Sequence, residues 1–387
     1  MKSLVISEIF PPRVGGSGRF LWELYSRLPP GKFEFLAGAT PGDVSFDTEH
    51  YSHRIVRWPL SMFTPGIRSL RNARLYWKWV RSIRTMIRDR SYRSLHCARV
   101  LPEGFTAYLL KKIVGTPYLV FAHGEDLSGA ATSRELTWMA RRVLSGASGI
   151  IANSLNTARL VIEEWNVPSH KVKLVHPGVD LSRYRPQDPE ESWRLSQGWS
   201  GRTVILTVSR LQARKGQDMM IRALSAIRAK LPEVLYVIAG DGEEAERLRN
   251  SAREQGQSEH VQFMGEVSED DKIRLYQQCD LFVMPNRKVG ADFEGFGMVL
   301  LEAQACGKPV LAGDSGGTSE TMKIPDTGRI ADCTTPETLA QAVIALLSNP
   351  AELRSMGCRA AAWAEEFDWP RTVEKATASF RELFSEL

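Results

Sequence analysis

The sequence predicts an α/β fold built from two doubly wound domains, each a parallel sheet covered by helices. Short runs of mostly β-branched apolar residues alternate with longer amphipathic stretches along the whole chain. Such alternation is typical of βαβ units, whose strands are buried on both faces. The series restarts after a polar, proline-containing stretch at 185–201, which indicates a domain boundary there.

The predicted elements are short, and they form two successive series. The first series has strands at Leu4–Ile6, Tyr118–Ala122, Gly149–Ala152 and Val172–Val175, a helix at Arg19–Leu28 and an irregular section at 40–64. The second has strands at Thr203–Val208, Leu235–Ala239, Val261–Phe263, Leu281–Met284 and Pro309–Ala312, with a helix at Asp218–Lys230. We therefore expect domains at 1–183 and 184–360, followed by a helical segment at 361–387.

Composition excludes several classes of protein. Fifty Lys and Arg residues against 45 Asp and Glu leave a net charge of +5, too small to indicate nucleic-acid binding by itself. The five cysteines form no C-x-x-C pair, so neither a disulfide framework nor a metal cluster is expected. No apolar run reaches roughly 18 residues, and the N-terminus lacks signal-peptide features. We expect a cytoplasmic protein that can still touch the inner face of the membrane.

Four loops follow predicted strands, where open α/β sheets bind ligands. The glycine-rich loop 11–18 precedes a helix, so its backbone can approach a phosphate or sugar oxygen, although a simple tight turn is the alternative. His123 begins a His-Gly-Glu-Asp loop and could orient a substrate hydroxyl, or merely belong to a capping cluster. In the loop 209–216, Arg210 and Lys215 can converge on a diphosphate, which we favour over a solvated basic loop.

Two acids mark the fourth loop and the helix after it. Glu294 precedes the expected helix start near Gly297, and Glu302 lies one to two turns inside that helix. One carboxylate could bind sugar hydroxyls while the other binds a vicinal diol such as a ribose. The alternative, a capping acid with an exposed helix Glu, is weakened because apolar residues flank Glu302.

A basic segment at 67–92 has cations at steps of three to four residues, interleaved with aromatic residues. We favour contact with anionic lipid headgroups over a solvated helix face, and both over nucleic-acid binding. Its cations are Arg68, Arg71, Arg74, Lys78, Arg81, Arg84, Arg88 and Arg90.

Together, these motifs resemble a GT-B glycosyltransferase of family 4, the retaining group 1 enzymes. The resemblance rests on Arg210-x4-Lys215, on Glu294-x7-Glu302 within EGFGMVLLEA, on HPGVD at 176–180 and on the first glycine-rich loop. The runs SRLQARKGQD and EAQACGKPV look like the bacterial phosphatidylinositol mannosyltransferase branch. The family's usual GHEV motif is missing, and 46–92 matches no part of the pattern, so the acceptor stays open.

The resemblance implies two Rossmann-like domains facing across a cleft, with a C-terminal helix that returns to the first. It implies transfer of a hexose, mannose being favoured, from a nucleotide diphosphate sugar to a lipid-linked or envelope-glycan acceptor at the cytoplasmic membrane face. GDP-mannose is the favoured donor and a UDP-sugar the alternative; no metal or other cofactor is expected. A soluble small-molecule acceptor, or a nucleotide-sugar epimerase of the same fold, remains an alternative.

The resemblance also implies roles for individual residues. Cations at the leaving diphosphate would supply the largest catalytic effect. The implied catalytic residues are His123, Arg210, Lys215 and Glu294. The implied donor-binding residues are Gly16, Arg210, Lys215, Val267, Glu294, Phe296, Gly297, Met298 and Glu302. Acceptor contacts are expected at Gly15, Gly16 and Arg19, and membrane contacts at Arg81, Arg84 and Arg88.

Overall fold

The computed structural model describes residues 2–13, 15–62 and 64–384, and the chain divides into two compact units. Unit 1 comprises Met1–Pro177 and Trp369–Leu387, and unit 2 comprises Gly178–Asp368. The sequence predicted the boundaries between the units after residues 183 and 360, whereas in the structure they fall after Pro177 and Asp368. Val14 of the glycine-rich loop and 385–387 of the C-terminal segment lie outside the described residues.

Each unit contains one parallel sheet, and the strands of each sheet follow one another along the chain without a strand of the other sheet between them. Within the described residues, unit 1 has the strands β1 (Ser3–Ser7), β2 (Phe33–Gly38), β3 (Ile55–Trp58), β4 (Ser94–Cys97), β5 (Tyr118–Ala122), β6 (Gly149–Ala152) and β7 (Val172–Leu174). Unit 2 has β8 (Thr203–Val208), β9 (Val234–Ala239), β10 (Val261–Gly265), β11 (Leu281–Met284), β12 (Val310–Gly313) and β13 (Gly328–Ala331). The predicted α/β class with two parallel sheets is confirmed.

Helices connect these strands. In chain order they are α1 (Gly16–Tyr25), α2 (Asp43–Glu49), α3 (Leu70–Arg90), α4 (Phe105–Val114), α5 (Glu125–Ala131), α6 (Arg134–Gly146), α7 (Leu155–Arg159), α8 (Glu191–Ser196), α9 (Gln217–Arg228), α10 (Ala245–Glu254), α11 (Glu269–Gln278), α12 (Met298–Ala305), α13 (Pro336–Leu347), α14 (Pro350–Ala364) and α15 (Trp369–Leu383).

The strand order reverses once in each sheet. The orders are β3-β2-β1-β4-β5-β6-β7 in unit 1 and β10-β9-β8-β11-β12-β13 in unit 2. In such doubly wound sheets, ligands bind beyond the carboxyl ends of the strands at the reversal. The reversals lie between β1 and β4 and between β8 and β11, so the loops after these four strands are the first places to look for a site.

The sequence prediction missed strands whose apolar pattern is broken by charged residues. The section 40–64, expected to be irregular, contains α2 and β3. Arg57 of β3 pairs with Asp47 of α2 at 2.6 Å, which compensates the charge in the strand. Glu34 of β2 is buried, and its carboxylate accepts hydrogen bonds from Tyr92 and pairs with Lys2 at 2.7 Å. These partners are distant in sequence, so the pattern alone gives no sign of them.

The C-terminal segment 361–387, which Pro370 is expected to kink or interrupt, contains the end of α14, a short turn and α15. Pro370 lies in the first turn of α15, where its missing N–H leaves no hydrogen bond unmade. Within unit 1, α15 packs on α1 through stacked aromatic rings. The Trp369 ring lies 6.2 Å from Phe20, and the Phe380 ring lies 5.8 Å from Tyr25.

Beneath this contact, His96 of β4 is buried and surrounded by aromatic rings, including Phe380 and Phe384. Its Nδ1 is 2.6 Å from the Tyr25 hydroxyl. Burial disfavours the charged imidazolium and lowers the pKa of His96 to about 3. The ring is therefore neutral in the folded protein at all ordinary pH values.

We predict that this histidine makes unit 1 less stable in mild acid. Unfolded His96 takes up a proton below about pH 6.5 while the folded residue stays neutral, so stability falls by about 1.4 kcal/mol per pH unit below that point. In His96→Gln the residue does not titrate. The stability gap between wild type and variant should shrink by about 2 kcal/mol from pH 7 to pH 5, measured by hydrogen exchange of the β4 amides. A gap that does not change with pH would contradict the prediction.

Candidate functional site

A buried carboxylate and two cations lie together at the strand reversal of unit 2. A single turn of 3-10 helix, Ala213–Lys215, follows β8 and places Arg214 and Lys215 side by side. The Glu294 carboxylate, in the loop after β11, accepts from Arg214 Nη1 at 2.7 Å and from Lys215 Nζ. All three residues are buried.

Electrostatics favour the ionised form of this carboxylate. Burial by itself raises the pKa of Glu294, but Lys215 and Arg214 outweigh that effect and hold the pKa below its usual value. Asp292, whose side chain is half exposed, lies 3.2 Å from Arg214 Nε. Burial raises the pKa of Asp292, and the neighbouring Glu294 charge adds to the increase.

Backbone contacts fix the position of the Lys215 turn. Gly216 follows it with φ +75°, a conformation that favours glycine. A Cβ at this position would lie 1.8 Å from the Pro285 carbonyl oxygen, so the loops after β8 and β11 touch directly. Arg287 then donates two hydrogen bonds, of 2.8 and 2.9 Å, to the carboxylate of Asp218 at the start of α9.

The loop after β12 supports Glu294 from the other side. The Glu294 carbonyl accepts from the Gly317 N–H at 3.0 Å, and a Cβ on Gly316 would lie 1.9 Å from the same oxygen. The buried Asn286 side chain joins this loop to β11, because it donates to Thr318 Oγ1 and accepts from the Gly313 N–H. The loop after β8 thus holds the Glu294 carboxylate and the loop after β12 holds its backbone, and of these contacts the sequence pointed to Lys215 but not to Arg214 or Asn286.

Glu302 occupies a different environment on α12. It is buried, its Oε2 accepts from the Tyr276 hydroxyl at 2.9 Å, and Lys272 Nζ lies 3.5 Å from the same oxygen. Tyr276 and Lys272 both belong to α11, so this carboxylate contacts a neighbouring helix. The expectation that Glu302 lies inside the helix is met, and its partners on α11 could not be read from the sequence.

The remaining predicted residues of unit 2 lie around the start of α12 and the end of β10. Gly297, with φ +96°, precedes α12, and Met298 begins it. The first N–H groups of an α-helix have no intrahelical acceptor, so they can bind ligand oxygens. Phe296 is buried just before them, and Val267 is half-buried after β10.

Arg210 and Lys215, which we expected to converge, have different surroundings. Arg210 is exposed, and within the described residues no hydrogen bond or ion pair holds its guanidinium. Arg214 is the arginine that shares Glu294 with Lys215. The motif contains both arginines, but only the turn after β8 decides which of them points inwards.

In unit 1, His123 follows the carboxyl end of β5 and is buried. Its Nε2 donates to the Ala98 carbonyl at 2.8 Å, which leaves Nδ1 as the acceptor nitrogen of the neutral ring. The backbone N–H of His123 donates to Asp126 Oδ1 at 3.0 Å. The Nε2 bond orients the ring and sets its tautomer, while the backbone bond ties His123 to the first turn of α5.

The glycine-rich loop leads directly into α1. Gly15 precedes the helix in an extended conformation, and Gly16 is its first residue. Gly18 packs against the backbone after β1, where an added Cβ would lie 2.1 Å from the Ile9 carbonyl oxygen. Arg19 directly follows Gly18 in the first turn of α1, with its Nε 3.9 Å from the Glu23 carboxylate.

A second ionic cluster, missed from the sequence, lies at the strand reversal of unit 1. Arg99, after β4, is 2.6 Å from Glu8 Oε2 and 3.3 Å from Glu103 Oε1. Burial raises the pKa of Glu103, partly offset by Arg99. Glu8 lies two residues after the predicted strand Leu4–Ile6 and was therefore detectable, whereas Arg99 follows β4, which was not predicted.

The basic segment forms the 21-residue helix α3. One side packs into the core of unit 1 through Tyr76 and Trp79, while Trp77 is 64% exposed beneath the Arg81 guanidinium. The exposed cations on this helix include Arg71, Arg74, Lys78, Arg81, Arg84 and Arg88. In the part of the chain that the structure describes, no helix is long and apolar enough to cross a bilayer, and no group of three or more His, Cys, Asp or Glu residues could hold a metal ion.

Two family models match the chain, one in each half. Residues 14–183 match Glycosyltransferase Family 4, and residues 190–363 match Glycosyl transferases group 1. A GDP-mannose-dependent alpha-(1-6)-phosphatidylinositol monomannoside mannosyltransferase of Mycobacterium tuberculosis is 30% identical, with 96% of each chain covered. Its monoacylated-acceptor counterpart in Corynebacterium glutamicum is 29% identical, with 97% of each chain covered.

Solved structures agree on the fold. The Anabaena protein HepE, in complex with UDP, superposes with a TM-score of 0.82 at 22% identity, and all of each chain is covered. WaaG, a glycosyltransferase involved in lipopolysaccharide biosynthesis, has a TM-score of 0.74 at 19% identity, covering 97% of this chain and 98% of that one. These similarities confirm the expected GT-B architecture.

We predict that Glu294→Gln destabilises unit 2 by about 3–5 kcal/mol, because it removes the buried counter-charge that Arg214 and Lys215 share. The matched control Asp292→Asn should cost less than about 1 kcal/mol, since that pair is half exposed. The measurement is hydrogen exchange of the β8 and β11 amides. Adding Lys215→Met to Glu294→Gln should restore part of the lost stability. Equal stability of Glu294→Gln and Asp292→Asn would contradict the role of the buried pair.

Proposed function

The chain belongs to glycosyltransferase family 4, the group 1 enzymes, and is a hexosyltransferase; from this premise we propose that it transfers mannose from GDP-mannose to a phosphatidylinositol-type lipid acceptor. The donor and the acceptor are suggested by the names of relatives that align over nearly the whole chain. We further propose that the anomeric configuration is retained and that the reaction takes place at the cytoplasmic face of the membrane.

The observation that carries this proposal is the cation cluster at the strand reversal of unit 2. Glycosyl transfer from a nucleotide donor leaves negative charge on a diphosphate while the sugar becomes oxocarbenium-like. Cations already in place at that position stabilise the transition state without reorganisation. This charge would be supplied by Lys215, which pairs with Glu294, and by the exposed Arg210. Because Glu294 is shared with Arg214, its one negative charge does not fully neutralise Lys215.

Other residues of unit 2 would orient the donor. We assign the ribose hydroxyls to Glu302, whose Oε2 is already oriented by Tyr276. The transferred sugar would contact Glu294 and the N–H groups of Gly297 and Met298, after Phe296. Val267, half-buried after β10, would lie beside the nucleobase.

The residues of unit 1 would act on the transferred sugar and the acceptor. With its Nε2 proton committed to Ala98, His123 can accept a hydrogen bond from a sugar hydroxyl through Nδ1. Gly16 would let the backbone approach the donor diphosphate closely, and Gly15 and Arg19 would contact the acceptor. No side chain is assigned as a nucleophile, so the proposal concerns positioning and charge rather than a covalent intermediate.

The exposed face of α3 would hold the enzyme at the membrane. Arg81, Arg84 and Arg88 lie at helical spacing on that face, and anionic lipid attracts each such cation by about 1 kcal/mol near the surface. The exposed Trp77 ring adds an amphipathic group suited to the headgroup layer. An acceptor that is itself a lipid makes this attachment useful, because enzyme and acceptor then share one surface.

We predict that GDP raises the melting temperature of the protein more than UDP or ADP does. A ligand present at 100 times its Kd adds about 2.7 kcal/mol to stability, which a thermal-shift assay detects readily. Lys215→Ala should lose the GDP shift relative to its own ligand-free melting temperature. Arg222→Ala, which removes an exposed cation from α9, should keep it. A UDP-only shift would reassign the donor, and a full GDP shift in Lys215→Ala would reject the site.

We also predict that Arg81→Glu/Arg84→Glu/Arg88→Glu abolishes sedimentation with anionic liposomes and lowers mannose transfer to acceptor embedded in them. Wild-type binding should weaken steeply between low and physiological salt, as expected for screened surface charges. The matched control reverses Arg247, Arg249 and Arg253 on α10, with the same change in net charge. Equal loss in both triple variants would point to net charge and not to α3. Full transfer to a detergent-free, water-soluble acceptor would favour a soluble substrate.

A further inference from the structure

Unit 1 contains a cavity lined by four cations, away from the residues already discussed. It has a volume of about 380 Å³, and its lining consists of Tyr108, Lys111, Lys112, Arg142, Ser145, Gly146 and Lys171. Within the described residues, no carboxylate lines it. Surface cations are usually interspersed with acids, so four in one concavity require an explanation.

Chain order places this cavity at the amino-terminal edge of the sheet. Lys171 directly precedes β7, and Gly146 ends α6 shortly before β6. Tyr118, the first residue of β5, donates to the Val143 carbonyl of α6 beside it. His123 follows the carboxyl end of the same strand, so the cavity and the candidate site of unit 1 lie at opposite edges of the sheet.

Capping of helix α6 explains two of the four cations. Lys111 Nζ donates to the Gly146 carbonyl at 2.8 Å, and Lys171 Nζ donates to the carbonyls of Ser145 at 3.1 Å and Ala147 at 3.2 Å. Lysines at a helix C-terminus neutralise carbonyls that lack intrahelical donors. Each ammonium has three N–H donors, so capping does not use all of them.

Lys112 and Arg142 also line the cavity and are exposed, and neither makes such a carbonyl contact within the described residues. Lys112 lies over the Tyr108 ring and Arg142 over the Trp138 ring, at 5.9 and 5.6 Å from the ring centroids. These contacts hold the cations close to two further positive charges. The repulsion is visible at Lys111, where burial first, and then Lys171 and Lys112, lower the pKa.

We propose that this cavity, which we call the basic pocket, binds a phosphomonoester through Lys111, Lys112, Arg142 and Lys171. The three terminal oxygens of a dianionic phosphomonoester can together accept hydrogen bonds from all four cations. The pocket is in the size range of small-molecule sites, so there is room for the organic group that carries the phosphate. The same chemistry is offered by a soluble phosphate ester and by a lipid headgroup. The proposal does not depend on the transfer reaction.

The test uses the full chain and the double variant Lys112→Ala/Arg142→Ala, which leaves both α6 caps intact. The matched control is Arg141→Ala, which removes an exposed cation from the adjacent position on the same helix. In the soluble arm, glycerol 3-phosphate is titrated by calorimetry. The double variant should lose roughly tenfold or more in affinity, and the control should bind as wild type does.

In the lipid arm, phosphatidylcholine vesicles carry either phosphatidic acid or an equal charge of phosphatidylserine. The chain carries Arg81→Glu/Arg84→Glu/Arg88→Glu, so that α3 contributes no attraction. If the protein prefers vesicles with phosphatidic acid and the double variant loses this preference, the phosphate belongs to a lipid headgroup. If the double variant loses affinity only for glycerol 3-phosphate, the ligand is a free phosphate ester. If the double variant matches the control in both arms, the proposal is overturned and the lysines serve only as helix caps.

Discussion

The Glu294 carboxylate, buried and shared by Arg214 and Lys215, is the interaction on which the loops of unit 2 depend. Removing three charges from water is costly, and the mutual attraction of such groups often does no more than repay that cost. An apolar cluster of the same volume would stabilise the fold as well or better. The retained charges are therefore better explained by ligand binding, because the two cations share one buried carboxylate and the second acid, Asp292, is half exposed.

Both units use the same topology, but the charge at the reversal differs. In unit 2 the cluster has two cations for one buried acid, which suits a leaving group that becomes more negative. In unit 1, Arg99 lies between the buried acids Glu8 and Glu103, while a second cation, Arg13, is about half exposed at 3.8 Å from Glu8, so the buried charges there are mainly acidic. The latter arrangement suits hydroxyl groups and developing positive charge. The same sheet order thus supplies two opposite electrostatic environments, and the loop residues alone decide which.

How far the sequence predicts this molecule depends on how apolar each element is. The strands with the same bounds in prediction and structure are runs without a charged residue, almost wholly buried: Tyr118–Ala122, Gly149–Ala152, Thr203–Val208 and Leu281–Met284. Strands β2 and β3 were missed because Glu34 and Arg57 interrupt them. The motif that contains Lys215 and Glu294 was visible, but the inward position of Arg214 depends on one turn of backbone. Whether a charge is buried is a tertiary property, so a pattern of residue types predicts it poorly.

The net charge of +5 does not distinguish three kinds of cation, which differ in burial and in their neighbours. Lys215 is buried and paired, and its charge matters only over a few ångströms. Arg84 is solvated on α3, where it acts with its neighbours as part of an extended field screened within about 10 Å. Lys111 is partly buried among like charges, and its pKa is lowered first by burial and then by repulsion from Lys171 and Lys112. Repulsion of that kind has a free-energy cost in the ligand-free protein, and an anion that relieves it binds more tightly for the same contacts. Location therefore distinguishes these cations, and it is the reason why we propose a different partner for each: a diphosphate, a membrane surface and a phosphate ester.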